Sequence, residues 1–207
     1  MKMFKMLRMV CFLAMAALLV TAPVQADILT LGTSYSTPIP MNVGTVGGGS
    51  IDISKLNNVD LKYLYCVDLL TTVSVGGTYA DTTVNNLGKI HGVDVANAGR
   101  VAWLLTNYGV SGQGDNAKAL QAAIWTAITP ANVLLNVPAS ASFYQTYLNY
   151  LAASDGQEGI IGNFKWITPM TGQTEFQGQV TTPIPAAVWL LGSGLLGLIG
   201  IRRRFTS

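Results

Sequence analysis

Apolar residues are concentrated at the two ends of this 207-residue chain, which limits a folded domain to the stretch between them. Residues 1–26 begin with three basic side chains, continue with an apolar run over 10–20, and end with small residues at positions 24 and 26. This order is typical of a secretory signal peptide. We therefore expect cleavage before Asp27 and export of the chain that follows.

The other end predicts a membrane anchor. Residues 186–201 are 16 uncharged, mostly apolar residues, and Arg202, Arg203 and Arg204 follow at once. A run of this length can form a transmembrane helix across a thin bilayer. Arginines resist translocation and stay in the cytoplasm. Both ends thus predict a domain on the outer side of the inner membrane.

The segment before this anchor carries a more specific motif. Pro183, Ile184 and Pro185 precede the apolar run, and the segment with its arginines resembles the PEP-CTERM sorting tail in its VPLPA variant. That resemblance implies processing by an exosortase and release to the cell surface or extracellular matrix. The expected division is a signal peptide over 1–26, an exported domain over 27–176, a linker over 177–182 and a sorting tail over 183–207.

Charge and residue counts narrow the function classes. Six of the twelve basic residues lie in the two ends, so the exported part keeps six basic residues against ten acidic ones. An acidic domain without a basic patch is a poor nucleic-acid binder. His91 is the only histidine, and Cys66 the only cysteine after residue 26. These are too few ligands for a zinc site, and we expect neither a metal nor another cofactor.

Hydrophobic periodicity predicts an α+β fold. Residues 60–70, 71–80, 159–168 and 174–181 have strand-like patterns. Between them, three stretches have the apolar spacing of helices, beginning after Asp94, near Asp115 and at Pro138. The glycine-rich run over 44–50 is expected to be a loop. The result is an antiparallel β-sandwich or sheet with a helical insertion of about three helices.

Two residues suggest chemistry. Cys66 cannot form an internal disulfide in an exported domain that has no second cysteine. Gln121 lies on the apolar face of the second predicted helix, where an unpaired carboxamide would cost about 1–3 kcal/mol. If the thiol attacks that carboxamide and ammonia leaves, a thioester joins the side chains. Such a step requires the reacting atoms to be held close together.

The residues around this pair resemble the thioester domains of bacterial surface proteins. The resemblance lies in YCVD at 65–68, AGRVAWLLTNY at 98–108 and LQAAIW at 120–125, where Leu120 replaces the threonine of the family's Thr-Gln-x-Ala motif. It implies that Cys66 donates the sulfur and Gln121 the acyl group. An amine on a surface protein or matrix polymer would then attack the bond and become attached. This is a single-use transfer and not enzymatic turnover.

Two residues near Cys66 and Gln121 have expected supporting roles, and two other functions are alternatives to the thioester. Asp68 could orient the reacting groups, and Trp125, one helical turn after Gln121, could shield the bond from water. The first alternative is a structural protein of the biofilm matrix that carries the same sorting tail without the bond. The second is a hydrolase with Cys66 as nucleophile and His91 as base.

Overall fold

The computed structural model describes residues 26–69, 71–110, 114–129 and 133–181, and it confirms an α+β fold with an antiparallel sheet and three helices. Its helices are α1 (Ala98–Tyr108), α2 (Asp115–Ile128) and α3 (Tyr144–Ala153). Its strands are β1 (Asp27–Thr30), β2 (Ser34–Met41), β3 (Gly44–Asp52), β4 (Lys55–Leu56), β5 (Val59–Asp60), β6 (Leu64–Cys66), β7 (Thr78–Asn85), β8 (Lys89–Ile90), β9 (Val93–Asp94), β10 (Lys165–Thr168), β11 (Met170–Thr171), β12 (Thr174–Glu175) and β13 (Gln179–Thr181).

The main sheet has seven strands in the order β5-β4-β1-β7-β10-β13-β6. Every neighbouring pair is antiparallel, and the helices are inserted in the chain between β9 and β10. Strand β6, which ends in Cys66, is the last strand of this order. Its outer backbone groups therefore need partners from outside the sheet.

Helix α2 is buried on nearly all sides. Ten of its residues are buried, and five of these are alanines at 117, 119, 122, 123 and 127. A helix that is apolar all round belongs in a core. The small side chains let neighbouring elements come close to the helix axis. Helix α2 packs against α1, α3 and the β2–β3 hairpin, and it also reaches β6.

The glycine-rich segment expected to be a loop is strand β3 instead. Residues 44–50 pair with β2 in an irregular antiparallel hairpin. A Cβ atom on Gly48 would lie 2.6 Å from Cη2 of Trp125 and 2.9 Å from Cγ of Gln121. Glycine is needed here because the backbone of β3 lies directly against α2, a long-range contact that local turn composition does not reveal.

Two helix starts also differ from expectation. Helix α1 begins at Ala98 after Asn97, whose φ is 52°, while Asp94 pairs with Lys89 at 2.9 Å across the β8–β9 hairpin. Helix α3 begins at Tyr144, six residues after Pro138. In both places short-range turns replace the first predicted helical turn.

The C-terminal part of the described chain lies inside the sheet. Residues 179–181, within the expected linker over 177–182, are strand β13, which is buried between β10 and β6. The expected signal peptide, apart from residue 26, and the sorting tail over 183–207 lie outside the described residues. Within the described ranges, no helix is both long and apolar enough to cross a membrane.

Candidate functional site

Cys66 and Gln179 are directly opposite each other on β6 and β13. The next pair along, Val67 and Gly178, is joined by a hydrogen bond from Val67 N–H to Gly178 O of 2.9 Å. Hydrogen-bonded and non-hydrogen-bonded pairs alternate in an antiparallel ladder, so Cys66 and Gln179 form a non-hydrogen-bonded pair. In such a pair the two side chains share one face of the sheet at close range, and the backbone polar groups point away from each other.

Gln121 binds the outward-pointing backbone groups of Cys66. Its Oε1 accepts a hydrogen bond from Cys66 N–H at 2.9 Å, and its Nε2 donates one to Cys66 O at 2.7 Å. The carboxamide thus lies at the edge of the sheet and occupies both positions that a further strand would occupy. Since side chains of a strand stand roughly perpendicular to the sheet, the thiol of Cys66 points away from the line of these two bonds.

Gln179 has a different environment. It is fully buried between Ile167 on β10 and Cys66 on β6, which are its register partners. Its Nε2 donates to the carbonyl oxygen of Gln177 at 3.1 Å, but its Oε1 is buried without a hydrogen-bond partner. A buried carbonyl oxygen left in this state costs about 1–3 kcal/mol. Unlike the amide of Gln121, this amide is only partly satisfied and lies beside the sulfur.

The sulfur of Cys66 is held as a neutral thiol. The side chain is only 3 % exposed, and burial raises the pKa of the thiol from 9.0 to about 12. Hydrogen bonding with the Gln179 side chain opposes this rise, and the negative charge of Asp68 adds to it. Desolvation is the largest cause because a thiolate has little solvation in this setting. The resulting thiol resists ionisation at neutral pH.

Asp68 belongs to a cluster of charges next to the site. Its Oδ2 accepts a hydrogen bond from Thr71 Oγ1 and lies 3.1 Å from Nε2 of His91. Nδ1 of the same imidazole lies 2.9 Å from Oε2 of Glu175, without the in-line geometry of a hydrogen bond. His91 is thus occupied by two carboxylates. This arrangement ties the end of β6 to the β8–β9 and β11–β12 hairpins.

The cysteine hydrolase expectation gains no support from these contacts. A nucleophilic cysteine normally has a lowered pKa and a base beside it. Here burial raises the pKa of Cys66, and both ring nitrogens of His91 face carboxylates. Among the described residues, no group of three potential ligands that could hold a metal ion is found.

Trp125 is fully buried one turn after Gln121, and its ring lies over Gly48 of β3. Cγ of Gln121 lies against the same glycine. Nε1 of Trp125 is buried without a hydrogen-bond partner. Trp125 thus packs beside Gln121 against the backbone of β3, and its shielding of a bond to Cys66 stays a prediction.

The structure brings together three of the residues singled out from sequence and adds one that sequence reasoning missed. Cys66, Gln121 and Trp125 lie in one buried region, and Asp68 lies at its border. The missed residue is Gln179. Its signal was the strand-like pattern over 174–181, but that pattern alone does not say which strand it pairs with. Pro183, Ile184, Pro185 and the three arginines lie outside the described residues.

No known family model, curated protein or solved structure matches this chain.

Proposed function

We propose that this protein is an exported attachment module whose Cys66 forms an internal thioester with a buried glutamine. The observation that carries the proposal is the pairing of a buried thiol with a buried carboxamide on the same face of two adjacent strands. Export and anchoring belong to the proposal through the signal peptide over 1–26 and the PEP-CTERM-like tail with its transmembrane segment over 186–201. An exosortase would process that tail and release the domain to the cell surface.

We further propose Gln179 as the acyl donor in place of Gln121. Gln121 uses both ends of its amide on the backbone of Cys66, at 2.9 Å and 2.7 Å. Its reaction would expel Nε2 and so leave the buried carbonyl oxygen of Cys66 unpaired. Moving the amide carbon onto the sulfur would also pull Oε1 away from Cys66 N–H. Gln179 gives up one hydrogen bond to the backbone, and the new S–C bond replaces its contact with the thiol. Its Oε1 has no hydrogen bond to lose. The energetic cost of reaction therefore favours Gln179.

The roles of the two glutamines then become distinct. The carboxamide of Gln121 fixes the backbone of Cys66 at the edge of the sheet, and this fixes the direction of the thiol. The carboxamide of Gln179 provides the electrophilic carbon. When the S–C bond forms, the C–N bond of the amide breaks and the thiol proton leaves with the nitrogen as ammonia. The buried site loses a thiol and a primary amide in the same step.

The raised pKa of Cys66 does not prevent this reaction. With a pKa of about 12, about one thiol in 100,000 is ionised at pH 7. Well-oriented intramolecular reactions reach effective concentrations of about 10⁵–10⁸ M, which offsets a deficit of that size. Because the thioester is neutral, the burial that suppresses the thiolate does not oppose the product. The same burial protects the product from hydrolysis.

Intact mass spectrometry of the purified protein tests the proposal. We expect the wild type to be lighter by one ammonia than its processed sequence. Cys66→Ala and Gln179→Glu should each have the full mass of their sequences. Gln121→Glu, which keeps the shape of the side chain, is the matched control and should keep the deficit in the fraction that folds. Methylamine should add one methylamine to the wild type at residue 179 and expose one thiol.

Two other outcomes have clear meanings. A wild-type mass equal to the unmodified sequence would end the thioester proposal and favour the matrix protein without the bond. A deficit lost in Gln121→Glu and kept in Gln179→Glu would return the acyl donor to Gln121, as the resemblance implies. Peptide mapping after methylamine treatment distinguishes the two glutamines independently of folding.

A further inference from the structure

A cavity of about 250 Å³ reaches Cys66 from the surface. Its lining comes from the β2–β3 hairpin and from the segment that follows β6. The described residues around it include Tyr35, Gly47, Gly48, Cys66, Thr72 and Gln177. None of the described lining residues is charged at neutral pH. The cavity is smaller than the roughly 300–1,000 Å³ of ordinary small-molecule sites, so only a slender group could enter it.

Tyr35 forms the outer part of the hairpin wall. The side chain is 43 % exposed and also lines the cavity, so it extends from solvent toward the interior. Its ring lies directly over the backbone of Gly47, where a Cβ atom would be 2.9 Å from Cε2 and 3.3 Å from Cδ2. Any side chain at position 47 would push the ring aside. Gly47 therefore leaves the space that the Tyr35 ring occupies beside the cavity.

The adjacent glycine has a separate role. Gly48 lies against Cγ of Gln121 and the ring of Trp125, and it seats the hairpin on α2. The hairpin is thus anchored next to Cys66 at Gly48 and presents Tyr35 from the neighbouring strand. Because the anchor is tightly packed, the position of the hairpin backbone that carries Tyr35 is set by the fold.

We propose that Tyr35, whose ring lies over Gly47, is a steric filter that admits unbranched primary amines to the site and excludes amines branched at the carbon bearing the nitrogen. This inference rests on the proposed thioester. The uncharged wall favours the neutral amine, which is the nucleophilic form. In the reaction, the amine nitrogen bonds to the carbonyl carbon, the C–S bond breaks, and the amine proton passes to sulfur, restoring the thiol.

The filter is tested with two isomeric amines, n-butylamine and sec-butylamine. Rates of aminolysis are followed by intact mass on wild type, Tyr35→Ala and Tyr35→Phe. For each protein, the rate with n-butylamine is divided by the rate with sec-butylamine. This ratio is then divided by the same ratio for a small thioester in solution, which gives the corrected ratio. We expect the wild type to prefer the linear amine by an extra factor of about 10 or more, the range a pocket achieves for one methylene. Tyr35→Ala should lose most of this preference, and Tyr35→Phe should keep it.

Failure of the filter and failure of the thioester are distinguishable. If all three proteins carry the ammonia deficit but have the same corrected ratio, the filter is wrong and the thioester stands. If the wild type lacks the deficit, the passage is measured on its free thiol by comparing alkylation by iodoacetamide and its N-tert-butyl derivative. Tyr35→Ala should then accelerate the bulky reagent selectively, and equal acceleration of both reagents would overturn the filter.

Discussion

The two buried glutamines are predicted to contribute very differently to stability. Gln121 pairs the N–H and the C=O of Cys66 on an edge strand, while Gln179 leaves its own Oε1 unpaired. Replacement of either one by methionine keeps the approximate volume and removes the amide. The comparison is made in a Cys66→Ala background, so that no thioester can form. The loss of the thiol then affects both variants equally.

The expected magnitudes follow from the groups left unpaired. Gln121→Met leaves two buried backbone groups without partners, at about 1–3 kcal/mol each, or about 2–6 kcal/mol in total. Gln179→Met loses one hydrogen bond, worth about 1 kcal/mol, but also removes an unsatisfied oxygen, so its net effect should lie within about 1 kcal/mol of zero. Typical domains have only about 5–15 kcal/mol of stability, which makes the first loss easy to detect.

Urea unfolding followed by tryptophan fluorescence gives the two free energies. We expect the transition midpoint of Gln121→Met to fall well below that of the parent at an unchanged slope, while Gln179→Met stays near the parent. Equal losses in the two variants would refute the reasoning, because the two amides would then be equivalent. An unchanged transition midpoint in Gln121→Met would show that the two hydrogen bonds from Gln121 to Cys66 do not stabilise the fold.

Further predictions concern pH, the hairpin anchor and bond formation. Gln179→Met lacks the proposed acyl donor, so Cys66 stays a free thiol, and burial holds its folded-state pKa above the unfolded value of 9.0. The free energy of unfolding should therefore fall as pH rises above about 9, by up to about 1.4 kcal/mol per pH unit. Adding Cys66→Ala should remove this part of the pH dependence in urea titrations. Gly48→Ala should cost about 1–3 kcal/mol by overpacking against Trp125, whereas Gly162→Ala, with its nearest atom at 3.9 Å, should change the thermal midpoint little. Thioester formation in newly synthesised wild-type chains, followed by mass, should accelerate about tenfold between pH 7 and pH 8, since the thiolate fraction rises in that proportion.

Local signals predicted much of the architecture. The spacing of apolar residues identified three helical stretches, and α2 was expected to begin near Asp115, which is its first residue. Errors lay at the ends of elements and in the glycine-rich segment. Residues 44–50 form β3 because packing against α2 demands glycine, and only the position of that distant helix reveals the demand.

Only part of the candidate site could be predicted from the sequence. A lone cysteine in the predicted domain and a glutamine on an apolar helical face pointed correctly to a buried region that contains both. The sequence could not show that Gln121 would bind the backbone of Cys66, because this depends on β6 being an edge strand. Nor could it show that Gln179, 113 residues further along the chain, would be opposite Cys66.

Composition and periodicity alone specify an α+β domain between two apolar ends, with one cysteine and a buried helical glutamine. They do so because helix and strand periods depend on the positions of nearby residues. Which glutamine meets the thiol depends on strand order and register, and these are set by packing across the whole sheet. A shift of one residue between β6 and β13 would move Gln179 away from its place opposite Cys66, and no local pattern in the chain records that register.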